Sequence, residues 1–269
     1  MNAPECLPLP DIQSQVDPRN LAIDGAGVKG VRYPFTLKAG AVRIPTIGKW
    51  TMTVALPAHV KGTHMSRFIE LLDAGILLDA ESFRALGAQM LGRLGAASGR
   101  LEVCFPYFVT KFAPVSRVSS LLDYEVIWSL SLVSGNRPAF RTKVIVPATS
   151  LCPCSKEISA YGAHNQRSHI TIDAEINGAI SIEELVGMAE RSASCEVYGL
   201  LKRGDEKYVT ERAYDNPKFV EDLVRDVALE LNRDARIGSY TIEAENFESI
   251  HNHSAYARIV RSAVQSGHQ

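Results

Sequence analysis

"SHITIDAEINGAISIEELVGMAERS", residues 168–192, changes its period halfway along. Ile170, Ile172, Ala174 and Ile176 alternate with Thr171, Asp173 and Glu175, the period of two that a strand with one wet and one dry face requires. Ser181 and Glu184 then stand three apart, a pair that caps a helix reciprocally, and Ile182, Leu185, Val186 and Ala189 follow at helical spacing. A half-buried strand leading into a capped amphipathic helix points to an antiparallel sheet with helices on its dry side.

The same grammar recurs on both sides of this stretch. Trp50, Met52, Val54 and Leu56 alternate with small polar residues, as do Val126, Trp128, Leu130 and Leu132, and Tyr240, Ile242 and Ala244. Helical spacing joins Met65, Phe68, Ile69 and Leu72; after a "DAGILLD" turn (73–79), Asp79 caps a second helix lined by Phe83, Leu86, Met90, Leu91 and Leu94. Downstream, Asn216 and Pro217 are expected as N-cap and first residue of a helix striped by Val220, Leu223, Val224, Val227 and Leu231. The order is strands, two helices, strands, and then the same again. An α+β chain of two tandem units follows, each an antiparallel sheet with two helices packed on one face. The expected bounds are an N-terminal arm over 1–20, a first unit over 21–150 and a second over 151–269.

Composition narrows the function. With 29 Lys and Arg against 30 Asp and Glu, the chain lacks the basic excess that a nucleic-acid or anionic-membrane partner calls for. At 46% hydrophobic residues it can bury a core, yet no run of about 18 apolar residues suggests a membrane span. "MNAPECLPLPDIQSQVDPRN" has neither the basic start nor the apolar run of a secretory signal. The five cysteines are an odd, sparse set, so the expectation is a reduced cytoplasmic protein whose paired cysteines serve metal or catalysis. No Walker loop, GxGxxG after a strand, GxSxG elbow or HExxH helix is present.

The polar stretch "LCPCSKEISAYGAHNQRSH" (151–169) concentrates the chemistry. Cys152 and Cys154 flank a proline, a spacing in which two sulfurs can approach one metal, while a disulfide across it would be strained. The competing reading is a pair of small packed thiols. His164, in a loop with Gly162 and Asn165, is a candidate imidazole ligand, and His169 reads as a residue on the following strand. The charged segment 200–222, read as the connection between the two later helices, holds Glu206 and Glu221. Glu206 is either a ligand or a solvated loop charge; Glu221 is either functional or a carboxylate favoured at a helix N-terminus. "SIHNHS" (249–254) sets His251 and His253 two apart between the last two strands, a ligand or proton-transfer pair. Lys156, Arg167, Lys202 and Arg203 are the cations near these motifs in sequence.

"CPCSKEIS" (152–159), "GAHNQRSH" (162–169), "NPKFVED" (216–222) and "ESIHNHSAYA" (248–257), in this order, resemble the type IB GTP cyclohydrolase I family over nearly the whole chain after the arm. The resemblance implies a tunnelling fold of two such units per chain, a homotetramer with active sites at subunit interfaces, and conversion of GTP and water to 7,8-dihydroneopterin triphosphate and formate. It implies a divalent metal (manganese, zinc or iron) on Cys152, His164 and Glu206, with Cys154 as a second active-site thiol and His251 as ligand or proton carrier. Cys152, Cys154 and His251 thus form the expected catalytic set; Glu221 is expected to accept the guanine ring N–H and amino protons, and Arg167 and Lys202 to hold the triphosphate. Two alternatives are a queuosine-pathway nitrile reductase of the same fold, which would consume a nicotinamide, and a non-enzymatic metal- or redox-sensing module with a closed site.

Overall fold

The structure, a computed structural model, describes residues 11–13, 15–73 and 75–262. The chain divides into two units, one reaching Val103 and including Ser129–Ala139, the other formed by Cys104–Trp128 and Phe140 onward. Of the arm expected over 1–20, residues 1–10 and 14 lie outside the described residues, as do 263–269 of the expected second unit. Val16 makes an isolated antiparallel bridge with Val60.

In the first unit, β1 (Ile23–Ala39) and β2 (Val42–Leu56) form a hairpin registered from Ile23 opposite Leu56 to Ala39 opposite Val42. Gly40 turns it at φ 59°, a backbone region that glycine enters without steric cost. The unit continues through α1 (Ser66–Leu72), the two-residue β3 (Leu77–Leu78), α2 (Ala80–Leu94), the start of β4 (Ser98–Phe112) and the end of β5 (Ser119–Val133). The expected alternation holds: Trp50, Met52 and Val54 are fully buried, and Trp50 meets Phe35 edge-on at 5.6 Å and Phe83 at 6.4 Å. The "DAGILLD" segment is more than a turn, because Leu77 and Leu78 pair in parallel with Thr36 and Leu37 of β1.

Asp79 caps α2 as expected, taking the Ser82 amide at 2.8 Å while the Asp79 amide donates to the Ser82 hydroxyl at 2.7 Å. The Ser82 amide, opposed by burial and helped by the Ser82 hydroxyl and Lys38, holds the Asp79 carboxyl down to about 2 from its ordinary 3.8. A depressed folded-state value contributes stability that is present above the unfolded value and lost as pH falls through the folded one. The protein therefore loses stability between about pH 4 and pH 2 partly through Asp79. Asp79→Asn keeps a capping oxygen but cannot ionise, so urea midpoints measured across this range should fall less steeply than in the wild type.

In the second unit, β6 (Ala139–Leu151) leads through the short α3 (Pro153–Ile158) to β7 (Asn165–Ile176) and α4 (Ile182–Ser192). There follow β8 (Cys195–Glu196), α5 (Arg203–Asp215), α6 (Val220–Asn232), β9 (Ile237–Phe247) and β10 (Ala255–Arg261). The strands run β10, β9, β7, β6 and are antiparallel, with β8 pairing β6. Ile170, Ile172 and Ala174 are fully buried, with α4 packed on β7 and α6 on β9 and β10, and the apolar stripes of both helices are the expected ones. The Ser181–Glu184 capping box is present in both directions, at 3.1 and 2.7 Å.

Two expectations are corrected here. The segment 200–222 is not a plain connection: it contains α5, which buries only Asp205 and Ala213 and so presents no apolar stripe to read. Asn216 and Pro217 do not open α6, which starts at Val220. Asn216 ends α5, and its side-chain amide donates to the carbonyls of Ala193 (2.9 Å) and Ser194 (3.3 Å), a tertiary use that outweighs its local capping preference. Among the described residues, no helix is long and apolar enough to cross a membrane.

Candidate active site

The site grows from the end of β6. Beyond Leu151, Cys152 leaves the strand as the N-cap of α3, and Pro153 takes the first helical position, where its missing N–H would be unpaired in any case. The Cys152 sulfur accepts the Ser155 amide at 3.5 Å. Ser155 also pins the loop that follows: its hydroxyl donates to the Cys152 carbonyl and accepts the His164 amide, both at 3.1 Å. The Cys152 amide donates to the His164 carbonyl at 3.2 Å, so thiol and imidazole residues ten positions and more apart stand on facing backbone. Gly162, at φ 129°, permits the reversal. Cys152 is half-buried and Cys154 exposed.

Two further motifs meet this corner. Strand β7 pairs β9 with Arg167 opposite Phe247, and His169 lies on the strand, edge-on to the Phe247 ring at 4.9 Å. The loop after Phe247 is thereby carried to His164, whose Nδ1 lies 3.1 Å from the Ser249 hydroxyl. Two residues on, His251 is exposed and its ring stacks on that of His253 at 5.1 Å. From the other side, the Lys218 amide donates to the Leu151 carbonyl at 3.1 Å, and the Ser150 hydroxyl donates to the Lys218 carbonyl at 3.2 Å. This fixes the segment that leads to Glu221, an exposed residue in the first turn of α6. Gln166 donates to Glu248 at 3.1 Å, and its carbonyl oxygen is buried without a partner, the kind of acceptor that a water or a substrate donor satisfies.

Glu206 and Lys202 are held differently. Both are exposed at the start of α5, Glu206 in an open groove of about 420 Å³ with Arg203, Lys207, Thr210 and Glu211. Their anchor is Asp205, fully buried, which accepts the Lys202, Val115 and Ser116 amides at 2.8 Å and the Ser116 hydroxyl at 2.6 Å. Burial alone would raise its carboxyl, but these donors hold it well below the usual carboxylate range. Among the described residues, no three His, Cys, Asp or Glu side chains form a group that could hold a metal, so Glu206 does not join Cys152 and His164 within this chain. Arg167 is exposed on β7, while Lys156 is already engaged, lying 4.3 Å from the Tyr214 ring centre.

Sequence reading missed Ser155, Ser249 and Asp205. Ser155 carried a local signal, a hydroxyl three residues after an N-cap; Ser249 and Asp205 meet partners some 85–90 residues away. Elsewhere in the second unit, burial, reinforced by Glu196, pushes the Cys195 thiol up to about 11, the mark of an inert thiol.

Antiparallel strands backed by paired helices, with the candidate side chains gathered where β6 and β9 end and β7 begins, define a tunnelling-fold protein. In agreement, the chain superposes on the uricase of Arthrobacter globiformis with a TM-score of 0.50, covering 91% of this chain and 96% of that one at 9% identity. A hyper-thermostable variant of that uricase gives 0.50 over 92% and 95% at 11% identity, so the likeness is one of fold alone. The sequence is more specific. Residues 9–257 match the family "Type I GTP cyclohydrolase folE2". The chain is 62% identical to GTP cyclohydrolase FolE2 2 of Cupriavidus metallidurans over 93% of its length and 94% of that protein's. It is 61% identical to GTP cyclohydrolase FolE2 of Herminiimonas arsenicoxydans over 94% and 97%. The chain belongs to the type I GTP cyclohydrolase FolE2 family.

Proposed function

We propose that this chain is a GTP cyclohydrolase that converts GTP and one net water to 7,8-dihydroneopterin triphosphate and formate. The observation that carries the reading is the convergence of residues 150–156, 164–169, 216–221 and 246–251 at one end of three strands, in a chain of this family. Family membership does not favour the nitrile reductase or a sensing module. In our reading Glu221 accepts the guanine ring N–H and 2-amino protons, a match of two acceptors to two donors. His251, stacked on His253 and carried by the loop tied to His164, moves protons as the C8 carbon is hydrated and leaves as formate. Cys154 lies beside the reacting carbon, and Arg167 and Lys202 hold the triphosphate.

A thiolate, an imidazole and a carboxylate are the donors that zinc, manganese or ferrous iron take, and Cys152 and His164 already share one hydrogen-bonded corner. We assign Cys152 and His164 of one chain, joined by Glu206 of a neighbouring chain in the assembly, as the ligands of a divalent ion, which when bound would supply Lewis-acid assistance to hydrolysis. The working form is a cytoplasmic homotetramer with sites at its interfaces, each chain built of two tandem units.

The test is direct: GTP incubated with metal-loaded protein should yield a fluorescent pterin after oxidation, with no NADPH consumed when it is offered. NADPH consumption without pterin would transfer the site to the reductase reading. Ser155→Ala should weaken metal binding about tenfold, because the hydroxyl joining the Cys152 and His164 backbones is lost. Competition against a chromophoric chelator reads this, and unchanged affinity would remove Ser155 from the site.

A further inference from the structure

Three buried polar side chains behind the site have a single consistent direction of hydrogen bonding. Ser168 donates its hydroxyl to Asn246 Oδ1 at 2.6 Å, Asn246 Nδ2 donates to Ser150 Oγ at 3.4 Å, and Ser150 donates to the Lys218 carbonyl at 3.2 Å. Ser168 is 0%, Ser150 1% and Asn246 2% exposed, so solvent scarcely reaches these three side chains, and only the final bond, to the half-buried Lys218, lies nearer the surface. The chain of bonds starts on β7, crosses β9 and β6, and ends on the backbone three residues before Glu221. Lys218 is otherwise held by its amide on Leu151 and by its ammonium on Asp226 at 2.6 Å.

We infer that Asn246 and Ser150 are positioning residues that set Glu221 against the guanine edge, coupling the strand that leads into the His251 loop to the residue that anchors the substrate. The inference rests on the assignment of Glu221 as guanine anchor. Its chemistry is specific to donor direction. In Asn246→Asp the side chain can no longer donate, and Ser150 must either face a lone pair or turn its only proton away from Lys218. In Ser150→Ala the Lys218 carbonyl loses its partner outright.

The experiment is a double-mutant cycle on GTP turnover. Ser150→Ala and Asn246→Asp should each raise KM for GTP about tenfold with kcat within about threefold, the range typical of residues that orient a contacting group. In a Glu221→Gln background each should change KM by less than about twofold, because the group they position is already impaired. Equal KM increases in both backgrounds, or a fall in melting temperature with KM unchanged, would overturn the inference. So would failure of Ser150→Ala to fold by circular dichroism, since the relay would then serve stability alone. Glu221→Gln with wild-type KM would instead sink the anchor assignment, and the relay would have no target.

Discussion

Cys152→Ala should abolish stoichiometric metal binding and lower GTP turnover by more than about a hundredfold, since loss of a group that only orients a ligand already costs 10–100-fold. The expectation follows from the way the corner is built. Cys152 is at once the last residue before the turn of α3, the acceptor of the Ser155 amide and the backbone partner of His164. Alanine preserves the backbone bonds, so circular dichroism should be unchanged and the loss should be confined to the metal. Cys154→Ala, by contrast, should keep metal affinity near the wild-type value while lowering kcat, because that thiol is exposed on the short α3 and is not in the assigned ligand set. Full turnover in Cys152→Ala would refute the proposed metal set.

Glu221→Gln should lower kcat/KM for GTP by about 10²–10⁴. Two charge-assisted hydrogen bonds of roughly 1.5–3 kcal/mol each are replaced by an amide that presents a donor to a donor. The residue sits in the first turn of α6 behind a segment fixed by Lys218 and Asn216, so the substitution should leave the fold intact. Comparing GTP with ITP, which lacks the 2-amino group, gives an internal control: the variant should discriminate between them far less than the wild type. Steady-state kinetics on both substrates decides this, and a variant that still strongly prefers GTP would assign guanine recognition elsewhere.

The sheets and main helices were legible because their signals are local. Ile170 to Ile176, Trp50 to Leu56 and the Ser181–Glu184 box each declare themselves within a dozen residues, and all are present. What escaped was written in partners distant along the chain. Helix α5 is polar on nearly every side and is anchored through one buried aspartate to residues 115 and 116. Asn216 looked like a cap for α6 because nothing nearby shows that its amide is spent on Ala193 and Ser194. Likewise the motifs at 152–169 and 248–257 could be seen separately, but only the register of β7 on β9 places Ser249 against His164. The gathering of Cys152, His164 and Ser249 is thus a product of strand pairing rather than of any one motif, and Lys218 is added by its backbone bonds to the end of β6.

The central claim, that this corner hydrolyses GTP with a bound divalent ion, is tested most directly by product stoichiometry. Protein carrying one equivalent of manganese, zinc or ferrous iron per chain is incubated with GTP, and formate and pterin are quantified together. The account predicts one formate and one 7,8-dihydroneopterin triphosphate for each GTP consumed, with both products lost together in Cys152→Ala. GTP left intact by the metal-loaded wild type, or consumed without formate, would contradict it.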